Sequence, residues 1–174
     1  MAGCGSYSKI EGFGFIPVTC FSQALTTFIG QNLGAKEYDR AKKGALFGTI
    51  CGIGIAEVIG IAVFFFSPYL IAAFGGDQKA IEYGIAEAHT IALFYCLLAF
   101  SHCMAAIQRG AGRSIVPMFV MMIVWCGVRV TYISIVIRII PVINVIYWAY
   151  PLTWFISSVI FLILFLKTDW IHGL

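Results

Sequence analysis

Five long apolar runs, separated by short polar connectors, are the strongest constraint on the fold of this chain. The sequence predicts membrane-spanning helices over residues 13–33, 44–66, 88–107, 116–137 and 145–166. An apolar helix of about 20 residues crosses the ~30 Å hydrocarbon core of a bilayer and satisfies its backbone hydrogen bonds internally. With 61% hydrophobic and 11% charged residues, the chain has too few polar side chains to cover a soluble fold. We therefore expect an all-α, polytopic membrane helix bundle of about five transmembrane helices, embedded in the lipid bilayer.

The basic residues of the connectors predict how this bundle is oriented. Lys and Arg are retained on the cytoplasmic side during membrane insertion. The side of the first connector holds Lys36, Arg40, Lys42, Lys43, Arg109, Arg113 and Lys167, and the other side holds Lys9, Lys79 and Arg138. We expect residues 1–12 to form an external N-terminal segment, residues 13–167 the transmembrane bundle, and residues 168–174 a cytoplasmic tail. An odd number of spans with an external start also leads us to expect that a preceding helix is missing and that the chain is a fragment.

Charge and motifs argue against several classes of function. The formal charge of +3 is small and scattered, unlike the clustered basic patch of a nucleic-acid-binding protein. The chain has no phosphate-binding loop with its lysine, no H-E-x-x-H pair and no nucleophile elbow. The six cysteines include no C-x-x-C pair. We expect no nucleic-acid partner, no enzymatic activity, no metal site and no bound cofactor.

Polar side chains form a stripe along the first predicted span. Stepped at about 100° per residue, one face of this helix collects Thr19, Ser22, Gln23, Thr26, Thr27 and Gly30. A polar stripe is unfavourable against lipid and should face protein or a water-filled cavity. Thr19, Gln23, Thr26 and Thr27 are therefore candidates for a substrate or ion pathway. The alternative is that their hydroxyl and amide groups only hydrogen-bond to helix backbones and hold neighbouring helices together.

The second predicted span carries a ridge of small residues. Gly44, Gly48, Gly52, Ala56 and Gly60 recur at every fourth position, so they share one face of the helix. Small residues in such a repeat allow another helix backbone to approach closely. Gly44, Gly48, Gly52 and Gly60 are therefore predicted helix-packing positions.

Three ionisable residues inside the predicted spans are further candidates for the pathway. Glu57 is a mid-span carboxylate, which insertion scales make unfavourable by roughly 2.5 to 3.5 kcal/mol, so it is either a proton or cation ligand or a neutral acid hydrogen-bonded across helices. His89 has an imidazole that can titrate near neutral pH, although a hydrogen-bonded structural histidine is the simpler interpretation. Arg129 has no carboxylate on its own helix, and Glu57 or a missing part of the protein is its expected partner.

Several segments resemble a known transporter family. The run Ala24–Ala35 with Tyr38–Gly44 closely resembles a loop segment of multidrug and toxic compound extrusion (MATE) transporters. Gln108–Arg113 resembles the end of the tenth helix of that family, Val124–Val130 the eleventh helix, and Tyr150–Trp154 the start of the twelfth. Thr131 stands where a proline is common in the family.

This resemblance implies both an architecture and an activity. It implies helices eight to twelve, part of the C-terminal lobe of a twelve-helix transporter with two lobes, in a bacterial plasma membrane. It further implies export of small organic, often cationic, compounds by Na⁺ or H⁺ antiport. Some members bind the coupling ion with carboxylates on the seventh and tenth helices, whereas Leu97–Phe100 offers no acid at that position of the tenth. An N-terminal lobe, in cis or in trans, is then a necessary partner, and the chain alone should transport nothing.

Two other functions remain open from the sequence. A lipid-linked oligosaccharide flippase of the same superfamily would carry an anionic headgroup and would need several basic residues in its cavity. A membrane scaffold or accessory subunit would transport nothing and would be stable without a partner lobe.

Overall fold

The chain forms a bundle of helices in the computed structural model, which describes residues 2–73, 78–140, 142–168 and 170. Within these ranges every regular element is helical. The helices are α1 (Ala2–Gly34), α2 (Tyr38–Ala73), α3 (Gln78–Ala92), α4 (Tyr95–Gly110), α5 (Ile115–Met121), a π-helical stretch (Met122–Val128), α6 (Arg129–Ile139) and α7 (Asn144–Lys167).

The predicted membrane bundle is confirmed. Four helical stretches are long and apolar enough to span a bilayer: Tyr7–Gly34, Tyr38–Ala73, Ile115–Ile139 and Asn144–Lys167. The pair α3 and α4 meets the same test when taken together, although it bends by 54° at the junction. The described ranges therefore contain four candidate spans, or five when the bent pair counts as one. Side chains such as Phe47, Phe65 and Leu166 are exposed on the outside of this bundle, as expected for a surface that faces lipid.

The first two helices extend beyond the predicted spans. Helix α1 begins at Ala2 rather than at residue 13, because Tyr7 and Ile10 pack into the protein core. The hydroxyl groups of Tyr7 and Tyr95 are 3.3 Å apart and form a hydrogen bond between α1 and α4. Helix α2 continues through Pro68 to Ala73. Whether residues 1–12 lie outside the membrane stays a prediction.

The third predicted span, residues 88–107, contains a break. Helix α3 ends at Ala92 and α4 begins at Tyr95, and the Phe94 backbone N–H donates to the Ile91 carbonyl oxygen at 3.0 Å. The junction contains neither glycine nor proline, so no local signal in the sequence marks it. Its position instead matches the close approach of Gly60 on α2 to the Ala92 carbonyl group.

The fourth span changes its helical geometry halfway. The π-helical stretch Met122–Val128 lies between α5 and α6 without interrupting the 25-residue span. Each turn of a π-helix holds an additional residue, and such stretches occur frequently at functional sites. Here the stretch contains Trp125 and ends immediately before Arg129.

The predicted glycine ridge faces other helices. Gly48, Gly52 and Gly60 are buried and Gly44 is half-buried. Three of these glycines are covered by side chains of α1. Phe28 lies over Gly44, Leu25 lies over Gly48, and Phe21 lies beside Gly52. Added Cβ atoms would come within 2.7 Å of Leu25 Cδ1 at Gly48 and within 2.7 Å of Cys103 Sγ at Gly52. The ridge therefore lies where α1, α3 and α4 approach α2 most closely.

Candidate functional site: a charged cleft between the first and last helices

A cleft of about 280 Å³ opens between α1, the fourth span and α7. Its charged residues are Glu11 and Arg129, and most of the remaining wall is aromatic. The lining residues are Ser8, Glu11, Gly12, Phe15, Trp125, Arg129, Tyr150 and Trp154. The contribution of α1 follows from helical spacing, because residues 8, 11, 12 and 15 lie on one face of a helix.

Arg129 is held in place from α7. One terminal nitrogen of its guanidinium group donates a hydrogen bond to Thr153 Oγ1 at 2.7 Å. The guanidinium carbon lies 4.2 Å from the centre of the Tyr150 ring and 5.7 Å from that of Trp125, which are distances at which a cation is attracted to an aromatic face. Its Nε is buried and has no hydrogen-bond partner among the described residues. The arrangement fixes the plane of the guanidinium group.

Glu11 of α1 lies near this arginine and near a second carboxyl group on α3. Glu11 interacts electrostatically with both Arg129 and Glu87. Glu87 is 4% exposed and also interacts electrostatically with Tyr7. Glu11 thus interacts with one guanidinium group and with one further carboxyl group, an arrangement that can hold a proton or a cation.

Three serines form a hydrogen-bonded cluster that contacts Trp125, one of the residues that line the cleft. Ser101 Oγ on α4 lies 2.9 Å from both Ser157 Oγ and Ser158 Oγ on α7. Ser158 also donates to the Leu97 carbonyl oxygen at 3.1 Å, and Trp125 Nε1 donates to Ser157 Oγ at 3.4 Å. All three serines are buried. The cluster ties α4 to α7 and connects both helices to the indole that lines the cleft.

His102 lies behind the same aromatic wall. Its ring meets Phe15 edge-on at 5.0 Å between centroids and Trp125 at 5.5 Å. Sequence reasoning singled out His89 instead, and the structure places His89 at the interface of α2 and α3. There His89 Nε2 is 3.1 Å from the Phe64 carbonyl oxygen and the imidazole stacks on the Phe64 ring at 4.3 Å. His89 therefore joins two helices, and it does not line the cleft.

The polar stripe of α1 lies apart from the cleft. Thr19 donates to the Ile16 carbonyl oxygen at 2.8 Å and Thr27 to that of Gln23 at 3.2 Å, both within α1. Thr26 reaches another helix, because its hydroxyl group lies 3.2 Å from the Ala106 carbonyl oxygen of α4. Gln23 is exposed. None of the four residues lines the cleft in the described part of the chain.

The suggested pair of Glu57 and Arg129 is not formed between these two described residues. Glu57 lies on α2 beside the Cys96 thiol, and its Oε2 atom is buried without a hydrogen-bond partner among the described residues. The carboxylate that acts on Arg129 is Glu11. Sequence reasoning missed Glu11 because residues 1–12 were assigned to an external segment. Extending the helical face from Phe15 back to Glu11 and Ser8 would have found it.

The structure thus defines an α-helical integral membrane protein with charged residues inside its bundle. The MatE family profile matches residues 1–133, and the chain belongs to this family of multidrug and toxic compound efflux transporters. The chain is also similar to a protein of Thermotoga maritima described as "Probable multidrug resistance protein NorM", with 28% identity over 132 residues, which cover 72% of this chain. The chain spans 28% of the length of that relative.

Proposed function

We propose that this chain is part of a secondary active multidrug efflux transporter that exports small organic, often cationic, compounds by Na⁺ or H⁺ antiport. Membership of the MatE family supports the class of activity. The observation that carries the proposal for this chain is the cleft that both Glu11 and Arg129 line together with four aromatic residues, and in which the two charged groups interact electrostatically. Charged groups inside a membrane bundle are unfavourable and are characteristic of substrate and ion pathways.

The residues of the cleft suggest how coupling could work. Protonation of Glu11 or Glu87, or binding of Na⁺ between them, would change the charge that Arg129 experiences. The same change in charge would alter the affinity for an aromatic compound bound against Trp125 and Tyr150. Competition between ion and compound for one set of charges is the requirement of antiport, and alternation between two lobes would convert it into transport.

The proposal requires a partner that completes the cavity. A substrate pathway between two lobes cannot be built from the helices of one lobe alone, so we propose that this chain is inactive without an N-terminal lobe in cis or in trans. The distribution of basic residues supports an external N-terminus and a cytoplasmic C-terminus. The similarity to a bacterial relative supports a bacterial plasma membrane.

A chimera tests this proposal directly. The 132-residue segment of the Thermotoga protein that matches this chain is replaced by the corresponding segment of this chain, and the chimera is produced in bacteria that lack their own efflux pumps. We expect these cells to extrude ethidium, and cells that produce the 174-residue chain alone to retain it. Imposed Na⁺ or pH gradients in everted vesicles then identify the coupling ion.

Matched variants make the chimera informative about the cleft. Glu11→Gln removes the charge inside the cleft, whereas Glu82→Gln removes an exposed charge on α3. We expect ethidium efflux to fall in the first variant and to persist in the second. A membrane-inserted chimera that does not extrude ethidium, although the unmodified Thermotoga protein does, would contradict the proposed function. Efflux by the 174-residue chain alone would contradict its dependence on a second lobe.

A further inference from the structure

We propose that one anionic phospholipid binds on the outside of the bundle, with an acyl chain in a groove between α2, α4 and α7 and its phosphate group on Lys42. The groove has a volume of about 160 Å³ and shares no lining residue with the charged cleft. It is lined by Lys42, Ala45, Leu46, Thr49, Phe100, Met104, Ile107 and Phe165. This inference requires only that the bundle spans a bilayer, and it does not depend on transport.

Helix α4 forms the floor of the groove, and α2 and α7 form its sides. Phe100, Met104 and Ile107 follow one another at intervals of four and three residues, so they lie on one face of α4. Helix α4 packs against both α2 and α7. Met104 and Ile107 are buried in the core, whereas the side chain of Leu46 on α2 is 66% exposed. The groove therefore reaches into the core and opens towards the lipid.

The interior of the groove is suited to a hydrocarbon chain. Apart from Lys42, its lining contains one hydroxyl group, and this group of Thr49 donates to the Ala45 carbonyl oxygen at 2.8 Å. A polar ligand would lose its water there without gaining an equivalent hydrogen bond. An acyl chain gains from the burial of apolar surface without this cost.

The length of the groove corresponds to the upper part of one lipid leaflet. From Lys42 to Thr49 it follows two turns of α2, which is about 10 Å at ~1.5 Å per residue. Half of the ~30 Å hydrocarbon core is about 15 Å. The groove therefore accommodates the part of an acyl chain that lies nearest to the headgroup.

The end of the groove at Lys42 lies at the level of the headgroups. Lys42 is exposed, and no acidic residue lines the groove in the described part of the chain. Near the end of α7, the ring of Phe165 stacks on Trp170 at 5.5 Å, and tryptophan is enriched at the interface between membrane and water. Basic pockets between membrane helices on the cytoplasmic side are typical sites for anionic headgroups.

The surroundings of Lys42 favour a lipid with net negative charge. Residues 36–43 contain four basic and two acidic residues. Lys167, the last residue of α7, adds an exposed positive charge beyond Phe165. A zwitterionic headgroup would bring its own cation into this positive field, whereas an anionic headgroup would not. The groove thus combines an apolar wall with a positive end, which matches the two parts of an anionic phospholipid.

Lipid binding to the purified chain tests this assignment. Native mass spectrometry of the 174-residue chain in detergent micelles measures the affinity for single lipid molecules. Dioleoyl phosphatidylglycerol carries a net negative charge, and dioleoyl phosphatidylcholine has the same chains without net charge. We expect phosphatidylglycerol to bind roughly fivefold or more tightly, because a lysine near the membrane surface favours an anionic lipid by about that factor. Glycerol 3-phosphate has the charge without the chains and should not displace the lipid.

Two neighbouring lysines provide matched variants. Lys42→Gln removes the ammonium group at the end of the groove, whereas Lys43→Gln removes the next one along the chain, which does not line it. Both variants lower the net charge equally and both positions are exposed. We expect the preference for phosphatidylglycerol to be lost in Lys42→Gln and to persist in Lys43→Gln.

Tryptophan fluorescence locates the bound chain. Trp170 stacks on Phe165 of the groove, and bromine atoms on an acyl chain quench a nearby indole. In nanodiscs of brominated phosphatidylcholine, unbrominated phosphatidylglycerol should restore the emission of Trp170 more strongly than unbrominated phosphatidylcholine does. The variant Trp170→Phe identifies the part of the emission that belongs to this residue.

The comparison of the two lipids needs no variant, so it remains decisive if Lys42→Gln fails to fold. Equal affinities for the two lipids would overturn the proposal, and so would equal effects of the two lysine variants. Displacement of the lipid by glycerol 3-phosphate would overturn it in favour of a site for a free phosphate group. A dimer that excludes the lipid would overturn it in favour of a second copy of the chain on this face. Each of these results would leave the proposed efflux function standing.

Discussion

The contact between Gly60 and the break in the third span provides a quantitative test of how the helices pack. Gly60 is buried on α2. A methyl group added there would lie under 3.0 Å from the Ala92 carbonyl oxygen and 3.4 Å from Tyr95 Cβ. The first of these neighbours is a backbone atom, so no side chain can rotate away to relieve the clash. Gly54 on the same helix is exposed, and no atom of a described neighbour lies within 4 Å of a methyl group added there.

The matched pair of substitutions separates packing from helix propensity. Replacing glycine by alanine in a helix stabilises it by roughly 1 kcal/mol, and this gain is common to Gly54→Ala and Gly60→Ala. Overpacking a filled interface is unfavourable by roughly 1 to 3 kcal/mol, and it applies to Gly60→Ala alone. We therefore expect the free energy of unfolding of Gly60→Ala to be lower than that of Gly54→Ala by about 1 to 3 kcal/mol.

Reversible unfolding in mixed micelles measures this difference. Increasing fractions of sodium dodecyl sulfate unfold the protein, and far-ultraviolet circular dichroism with tryptophan fluorescence follows the transition. Gly54→Ala should unfold at an equal or higher fraction of the denaturing detergent than the unmodified chain, and Gly60→Ala at a lower fraction than Gly54→Ala. Equal stability of the two variants would refute the close approach of α2 to the junction of α3 and α4.

Two further predictions concern hydrogen bonds between helices. Thr26→Val removes the link from α1 to the Ala106 carbonyl oxygen and should lower the free energy of unfolding by roughly 0.6 to 2 kcal/mol, whereas Thr27→Val should leave it within about 0.5 kcal/mol. Ser101→Ala breaks the serine cluster and should lower it by about 1 kcal/mol, with the exposed Ser134→Ala as its control. The same detergent titration checks both pairs. Unchanged stability in Thr26→Val or Ser101→Ala would contradict the corresponding bond.

The spans were predictable from the sequence because a bilayer imposes one simple requirement, which is apolar length. The fifth span, predicted over residues 145–166, differs from Asn144–Lys167 by one residue at each end. The start of α1 was not predictable from apolar length. Tyr7 and Ile10 extend that helix through contacts with residues far away in the chain. A hydropathy profile does not detect such contacts. The break at Leu93 and Phe94 is of the same kind, since no glycine or proline marks it and it lies next to the close contact between Gly60 of α2 and the Ala92 carbonyl group.

The candidate site was predictable only in part. Arg129 was identifiable because a charge inside an apolar run is conspicuous. Its carboxylate neighbour Glu11 was not, because the sequence places Glu11 before the apolar part of its helix. Thr153 and Ser157 were also missed, since single hydroxyl groups in a long apolar run are common and carry no spacing signal. The relation between these residues depends on how α1, α6 and α7 come together, and only the fold specifies that.

The membrane topology of the segments on either side of the first span tests the central claim most directly. At about 1.5 Å per residue, the 28-residue stretch Tyr7–Gly34 is about 42 Å long and exceeds the ~30 Å hydrocarbon core, so Lys9 and Lys42 should emerge on opposite sides. Single cysteines at these positions, in a chain whose natural cysteines are replaced by alanine, are exposed to a membrane-impermeant maleimide on intact cells. We expect labelling at position 9 without permeabilisation and at position 42 only after it. Labelling of position 42 on sealed cells, or equal labelling of both positions, would contradict a bundle that spans the bilayer with its basic connectors in the cytoplasm.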